Sequence, residues 1–254
     1  MPETVTVERQ GPVLVITLAR PAKRNAMDGA MARGLAAAVD TLDADPALVV
    51  GVLTGAGGTF CAGMDLAAFL TGDVPEVPGR GLGGITRTPP ATPLIAAVEG
   101  YALAGGCELA LACDLIVAAE DATFGLPEVS RGLFAGAGGL VRLPRRIPPA
   151  IALEHALTGD PLPATEAARW GMVNRLTAPG GALAGALELA GRISRNGPLA
   201  VRATKQVVQS APDWPAGELW DRQQALLDEV FASADAREGA RAFAERRAPR
   251  WSGH

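Results

Sequence analysis

The chain has 254 residues, a net charge of −4, 48% hydrophobic residues and 20% charged residues. These values predict a globular protein with at least one sizeable domain and exclude a wholly disordered chain. The acidic balance and an aromatic content of 4% argue against nucleic-acid binding, which needs a cationic face and stacking rings.

Cysteine usage and hydropathy predict a cytoplasmic protein without a metal site or a membrane span. The three cysteines, Cys61, Cys107 and Cys113, have no metal-ligand spacing, and both histidines lie far from them. Their odd number and an N-terminus without signal-peptide features fit a reducing compartment. The apolar run at 94–115 is interrupted by glycines and acidic residues, so it is not expected to cross a membrane.

The N-terminal part of the chain predicts an α/β arrangement. Residues 4–10 and 13–18 flank a Gly-Pro turn and predict a β-hairpin. Asp28 is expected to cap a helix that runs to about Leu42. A buried strand at 48–53 then ends in a glycine-rich loop, and this strand, helix, strand order is typical of an α/β core.

The middle of the chain changes character at residues 71–93, which are dense in glycine and proline. This composition predicts a mobile surface segment, with a lid over a site as one role for it. Strands are expected at 94–98 and 115–118, with a Gly/Ala-rich turn and a short helix between them.

Helical patterns dominate after Gly136. The predicted helices are 148–159, 164–170, 181–195, 198–210, 216–232 and 235–247, and one short strand is predicted at 172–176. We therefore expect a core at 1–195 and a helical region at 196–254, whose amphipathic helices pack on the core or on a partner subunit.

Two strand-to-helix turns rich in small residues, 59–66 and 99–109, are candidates for a binding site. Small residues before a helix let the backbone approach a ligand and leave N–H groups unpaired, which favours an anion. A single turn of this kind is more often purely structural, but the chain has two, and Glu108 follows one of them.

Glu108 and Glu128 are candidates for acid and base because each lies in a weakly polar stretch that would raise its pKa. Taken singly, each is more often a surface carboxylate or a helix cap. A cysteine nucleophile is less favoured, because no histidine is placed to activate Cys61 or Cys107.

Taken together, these stretches resemble the crotonase superfamily, the enoyl-CoA hydratase/isomerases, and most of all an enoyl-CoA hydratase. The resemblance covers nearly the whole chain through the segments 20–27, 60–66, 100–108, 124–128, 136–139 and 243–251. It implies an α/β spiral of ββα units with a C-terminal helical trimerisation region. It also implies a homotrimer or a hexamer built as a dimer of trimers.

The resemblance assigns roles to individual residues. The backbone N–H groups of Met64 and Gly105 would form an oxyanion hole for the thioester oxygen, and Gly136 would help to seat a water. Glu108 and Glu128 would hold that water for syn addition to a trans-2-enoyl-CoA, giving 3-hydroxyacyl-CoA, and Glu128 would protonate C2. No cofactor is implied, because coenzyme A is part of the substrate.

The resemblance leaves other features of the site open. Candidate coenzyme A contacts are Lys23, Arg24, Ala62, Asp65 and Leu66, with Phe243 and Arg246 from a neighbouring subunit. Alternative functions are a Δ3,Δ2-enoyl-CoA isomerase, another crotonase-type lyase, or a non-catalytic acyl-CoA- or RNA-binding relative. Ala104 stands where many relatives have a glycine, which we expect to be a minor change because the alanine precedes the donor.

Overall fold

The computed structural model describes residues 3–254. The strands are β1 (Val5–Gln10), β2 (Val13–Leu18), β3 (Val50–Gly55), β4 (Glu76–Val77), β5 (Gly81–Leu82), β6 (Leu94–Val98), β7 (Tyr101–Leu103), β8 (Leu115–Ala119), β9 (Thr123–Gly125), β10 (Leu162–Pro163) and β11 (Arg175–Thr177). The α-helices are α1 (Gly29–Ala44), α2 (Leu66–Leu70), α3 (Gly105–Ala112), α4 (Gly139–Arg146), α5 (Pro149–Thr158), α6 (Ala164–Arg169), α7 (Ala182–Ile193), α8 (Pro198–Ser210), α9 (Leu219–Ala232) and α10 (Ala234–Ala244). Short 3-10 helices lie at Pro21–Lys23, Pro127–Arg131 and Ala211–Asp213.

A six-stranded sheet in the order β1-β2-β3-β6-β8-β11 forms the centre of the molecule. Only the β1–β2 hairpin is antiparallel, and the other neighbours pair in parallel. A second sheet has the order β10-β9-β7. Two ββα units therefore span both sheets: in each unit the first strand (β6 or β8) belongs to the large sheet, the second (β7 or β9) belongs to the small sheet, and a helix (α3 or α4) follows. The α/β fold with ββα units is therefore confirmed, as is the predicted hairpin.

The parallel strands are buried on both faces, as parallel sheets usually are. Val50, Val52 and Ile95 face α7, whose small residues Ala186 and Ala190 let the helix lie close to the sheet. The opposite face packs against α1 and α3 in the larger of the two apolar clusters. The site described below is built from the loops beside this larger cluster.

The predicted helix after Asp28 is confirmed as α1. The Asp28 Oδ1 atom accepts a hydrogen bond from the Met31 N–H at 2.9 Å, which satisfies one of the free donors of the first turn. Leu35 and Leu42 lie two turns apart on the core face of this helix, and both are fully buried.

The prediction of a mobile surface segment at 71–93 is wrong for residues 81–86, which are buried. Leu82 and Ile85 are 6% and 0% exposed and belong to the main apolar cluster. Gly83 allows this close packing, because a Cβ there would lie 3.0 Å from the Leu35 side chain. The glycines of the segment thus serve backbone packing as well as turns.

The C-terminal helices lie near the predicted positions. The strand predicted at 172–176 is observed as β11, which is shorter and begins three residues later, at Arg175. Lys205 of α8 anchors this region: its Nζ lies 2.8 Å from Asp114 Oδ2 and donates to two backbone carbonyls. The division at residue 195 stays a prediction. Over residues 3–254, no helix has the length and apolar character needed to cross a membrane.

Candidate active site

Two backbone N–H groups, those of Met64 and Gly105, lie side by side. Glycine has no Cβ, but the place where one would stand marks how close the two segments are. At Gly105 this place is 3.7 Å from the Met64 nitrogen, and at Gly63 it is 3.3 Å from the Gly105 nitrogen. Neither N–H donates a hydrogen bond to any residue between 3 and 254. Because Gly105 begins α3, its donor also carries the positive end of the helix dipole, and the pair can bind a developing oxyanion.

The two segments that carry these donors are joined tightly. Leu103 N–H donates to Cys61 O at 3.0 Å, and Cys61 N–H donates to Tyr101 O at 2.9 Å. Gly106 is required at this crossing, because a Cβ there would lie 2.1 Å from Cys61 O. The small residues noted in the sequence therefore bring the start of α3 against the 61–64 loop.

Ala104 has φ 51° and ψ −126°, a backbone conformation that favours glycine. Such a residue stores strain of about 1–3 kcal/mol. Its Cβ also lies 2.9 Å from the position that a Cβ on Gly63 would take. The expectation that this alanine is a minor change is therefore wrong for the backbone of the turn.

Glu108 lies in the first turn of α3 and is 3% exposed. Its Oε1 accepts hydrogen bonds from the N–H groups of Ala137 at 2.7 Å and Gly139 at 2.9 Å. Burial raises the pKa of Glu108 to about 7; the Glu128 charge adds to this rise, while the two N–H donors and Arg142 oppose it. The carboxyl can therefore gain or lose a proton near neutral pH.

Glu128 lies in the 3-10 helix Pro127–Arg131. Burial raises its pKa, and its own backbone N–H and the nearby Arg131 lower it. Its Oε2 is buried and accepts no hydrogen bond from the described residues, which leaves it able to bind a small polar molecule. The charge of Glu128 contributes to the raised pKa of Glu108, so the two carboxyl groups lie within electrostatic range of each other.

The structure places Gly136 near Glu108, and it places Ala62, Lys23 and Arg24 beside the oxyanion donors. Gly136 directly precedes Ala137, the donor to Glu108. Ala62 N–H donates to Arg24 O at 3.0 Å, which brings the exposed Lys23–Arg24 turn beside the 61–64 loop. Their predicted contacts with coenzyme A stay predictions.

Asp65 has a structural role that the sequence analysis missed. Its Oδ1 caps α2 through the Ala67 and Ala68 N–H groups, and its Oδ2 pairs with Arg20 at 2.9 Å. The hydrogen bond from Arg20 is the main cause of its lowered pKa. Its carboxylate is thus engaged in the cap and in the ion pair, and its predicted contact with coenzyme A stays a prediction.

Leu66 is exposed at the start of α2. Phe243 is 87% exposed near the end of α10, and Arg246 lies two residues after that helix. Neither residue hydrogen-bonds to the loop of Lys23 within the described part of the chain. The prediction that Phe243 and Arg246 serve a neighbouring subunit therefore stays a prediction.

A metal-binding cluster is absent from residues 3–254, and a cavity of the molecule lies outside the candidate site. No group of three or more His, Cys, Asp and Glu residues is arranged to hold a metal ion. A cavity of about 930 Å³ lies between α8 and the α3–α4 region and is lined by Asp114, Arg142 and Lys205 among other residues. Neither glutamate lines that cavity, so the candidate site is the two N–H donors and the two carboxyls.

Comparison with known proteins identifies the family. The model of the enoyl-CoA hydratase/isomerase family matches residues 8–254. The chain belongs to this family. It is 43% identical to a carnitinyl-CoA dehydratase from Salmonella arizonae, over the full length of both chains.

Solved structures of this enoyl-CoA hydratase/isomerase family agree with the fold. An enoyl-CoA hydratase from Mycobacterium tuberculosis is 58% identical, with a TM-score of 0.98 over 99% of this chain and 100% of that one. A carnitinyl-CoA hydratase from Mycobacterium avium is 44% identical, with a TM-score of 0.80 over the whole of both chains. The resemblance inferred from the motifs is therefore confirmed.

Proposed function

We propose that this member of the enoyl-CoA hydratase/isomerase family is an enoyl-CoA hydratase that adds water to a trans-2-enoyl-CoA. The observation that carries the proposal is the pairing of Glu108 and Glu128, both with raised pKa, beside two free backbone donors. A hydratase needs two groups to hold a water and one donor pair to stabilise an enolate. No cofactor beyond the coenzyme A of the substrate is proposed.

The thioester oxygen would bind between the N–H groups of Met64 and Gly105. As water adds at C3, the electron pair of the double bond moves toward this oxygen, and the donors stabilise the resulting enolate. Loss of one such donor typically lowers the rate by about two to three orders of magnitude. Both donors are backbone groups, so the Met64 side chain has little part in this step.

The water would lie between the two carboxyls. Oε1 of Glu108 is held by Ala137 and Gly139, which leaves Oε2 to receive a hydrogen bond from the water. Glu128 Oε2, free of protein partners in the described chain, is placed to exchange a proton. The water oxygen bonds to C3, Glu128 delivers a proton to C2, and the water proton restores Glu128, giving 3-hydroxyacyl-CoA.

A second candidate is the same type of chemistry on carnitinyl-CoA. The relatives from Salmonella arizonae and Mycobacterium avium support it, since their names carry that substrate and they are 43% and 44% identical to this chain. A Δ3,Δ2-enoyl-CoA isomerase is the third candidate. It needs one carboxylate to move a proton, so the preserved pair favours hydration.

A substrate panel separates these candidates. We expect loss of the enoyl absorbance with crotonyl-CoA or with a longer 2-enoyl-CoA. Turnover of carnitinyl-CoA alone would support the second candidate, and conversion of 3-enoyl-CoA without any hydration of 2-enoyl-CoA would rule out the hydratase proposal.

The role of Glu128 has its own test. Glu128→Gln is expected to abolish turnover while binding of a coenzyme A thioester survives, because the amide cannot donate the proton. The control is Glu154→Gln, an exposed glutamate on α5, which should keep full activity. Activity in Glu128→Gln equal to that of the control would contradict the assigned role.

We also propose a homotrimer or a dimer of trimers. Large apolar side chains are exposed on helices of the single chain, Leu157 and Phe243 among them at 67% and 87%, and burial against another copy would remove them from water. Size-exclusion chromatography with light scattering is expected to give three or six times the 26.0 kDa chain mass. A stable monomer would refute this assembly.

A further inference from the structure

Arg142, on α4, packs against the loop that holds Glu108. Its backbone N–H donates to Gly138 O at 3.0 Å as part of the helix, and its side-chain Nη1 lies 2.2 Å from the position that a Cβ on Gly138 would take. Gly138 has φ 103° and stands between Ala137 and Gly139, the two residues whose N–H groups bind Glu108. The guanidinium therefore lies against the middle of this loop.

The other end of the guanidinium reaches a second segment. Arg142 Nη2 donates to Thr86 O, and Thr86 is a buried residue of the 81–86 segment. That segment also contains Leu82, whose side chain lies 2.8 Å from where a Cβ on Gly105 would be. One side chain thus joins the Glu108 loop to the segment that packs beside the oxyanion donors.

The charge of Arg142 also faces Glu108. Burial lowers the pKa of Arg142, and Glu108 raises it, so the two groups stabilise each other's charged forms. Arg145 and Arg146 of the same helix act against the Arg142 charge, and the buried Cys113 thiol, whose pKa is raised by burial, stays neutral beside it. The remaining group that acts on Glu108 is Glu128, which favours the neutral form.

We propose that Arg142 is a positioning residue for Glu108. Its guanidinium holds the 137–139 loop in the arrangement that presents two N–H groups to the carboxylate, and its positive charge offsets the negative charge of Glu128. The catalytic consequence rests on the proposed function, but the effect on Glu108 itself does not.

The direct test is the titration of Glu108 in protein labelled with ¹³C-glutamate, with the carboxyl signal assigned by its loss in Glu108→Gln. Arg142→Gln should raise the pKa of Glu108 by roughly half a unit to one unit, because a nearby cation is removed. The matched control is Arg145→Gln, whose side chain is exposed and pairs with Asp213. A Glu108 titration identical in the two variants would overturn the electrostatic part of the proposal.

Activity gives the second measurement. The acidic limb of the kcat/KM profile should move to higher pH in Arg142→Gln and stay in place in Arg145→Gln. If no enoyl-CoA is turned over by the parent protein, the proposed function fails while the titration still decides the role of Arg142.

Arg142→Lys separates charge from geometry and also serves if Arg142→Gln does not fold. Lysine keeps the charge, but its single ammonium group cannot both lie against Gly138 and donate to Thr86 O, as the two terminal guanidinium nitrogens do. We expect a titration of Glu108 close to that of the parent protein and a kcat lowered at least tenfold. A parental kcat would overturn the positioning role, and a raised Glu108 pKa would contradict the electrostatic one.

Discussion

Glu108→Gln is predicted to stabilise the protein in a way that grows with pH. The folded-state pKa of Glu108 is about 7, against an ordinary value of 4.5, so the folded protein holds this proton more tightly than the unfolded chain. The stability contributed by the protonated form is fully present below about pH 4.5 and is lost as the pH rises through 7. Glutamine stays neutral throughout and can still accept from Ala137 and Gly139.

The size of this effect follows from the two pKa values. The difference between about 7 and 4.5 corresponds to about 3 kcal/mol at pH well above 7. Part of the difference arises from repulsion with Glu128, and movement of Glu128 or of water relieves some of it. We therefore expect Glu108→Gln to raise the free energy of unfolding by about 1–3 kcal/mol at pH 8 and by much less at pH 5.

Urea unfolding followed by circular dichroism between pH 5 and pH 8.5 measures this prediction. Protein concentration must be held constant, because subunit association also contributes to apparent stability. The control is Glu188→Gln, a glutamate whose side chain is 71% exposed and which should show no pH-dependent gain. A stability difference between Glu108→Gln and the parent protein that is the same at every pH would refute the reasoning.

Two further predictions concern the backbone of the oxyanion turn. Ala104→Gly should relieve the φ of 51° and raise the melting temperature by about 2–4 °C, and a lower melting temperature would contradict the strain described here. Gly106→Ala should lower the free energy of unfolding by about 3 kcal/mol and reduce activity, because its Cβ would lie 2.1 Å from Cys61 O. Its control is Gly191→Ala in α7, where a Cβ meets nothing within 4 Å. This substitution should be neutral or slightly stabilising. Equal losses of unfolding free energy in the two alanine variants, measured by urea unfolding, would disprove the steric argument.

Local signals in the sequence were sufficient for the strands of the six-stranded sheet and for most helices, but not for the short strands of the two smaller sheets. The Gly-Pro turn of the first hairpin and the Asp28 cap of α1 depend on residues within a few positions of one another. The same holds for the small residues at 59–66 and 99–109, which marked the two turns of the site. Spacing and order of these motifs were enough to indicate the family, because together they are far more specific than any one of them.

The tertiary structure decided what those motifs do together. Met64 and Gly105 become neighbours only when the start of α3 crosses the 61–64 loop. Glu108 acquires its pKa of about 7 because burial and the Glu128 charge outweigh the N–H donors of a loop about 30 residues away. The same is true of the burial of residues 81–86, whose glycine content alone predicted a surface segment. Capping and periodicity act over a few residues, whereas burial, charge interactions and close backbone approach depend on which distant segments the fold brings into contact.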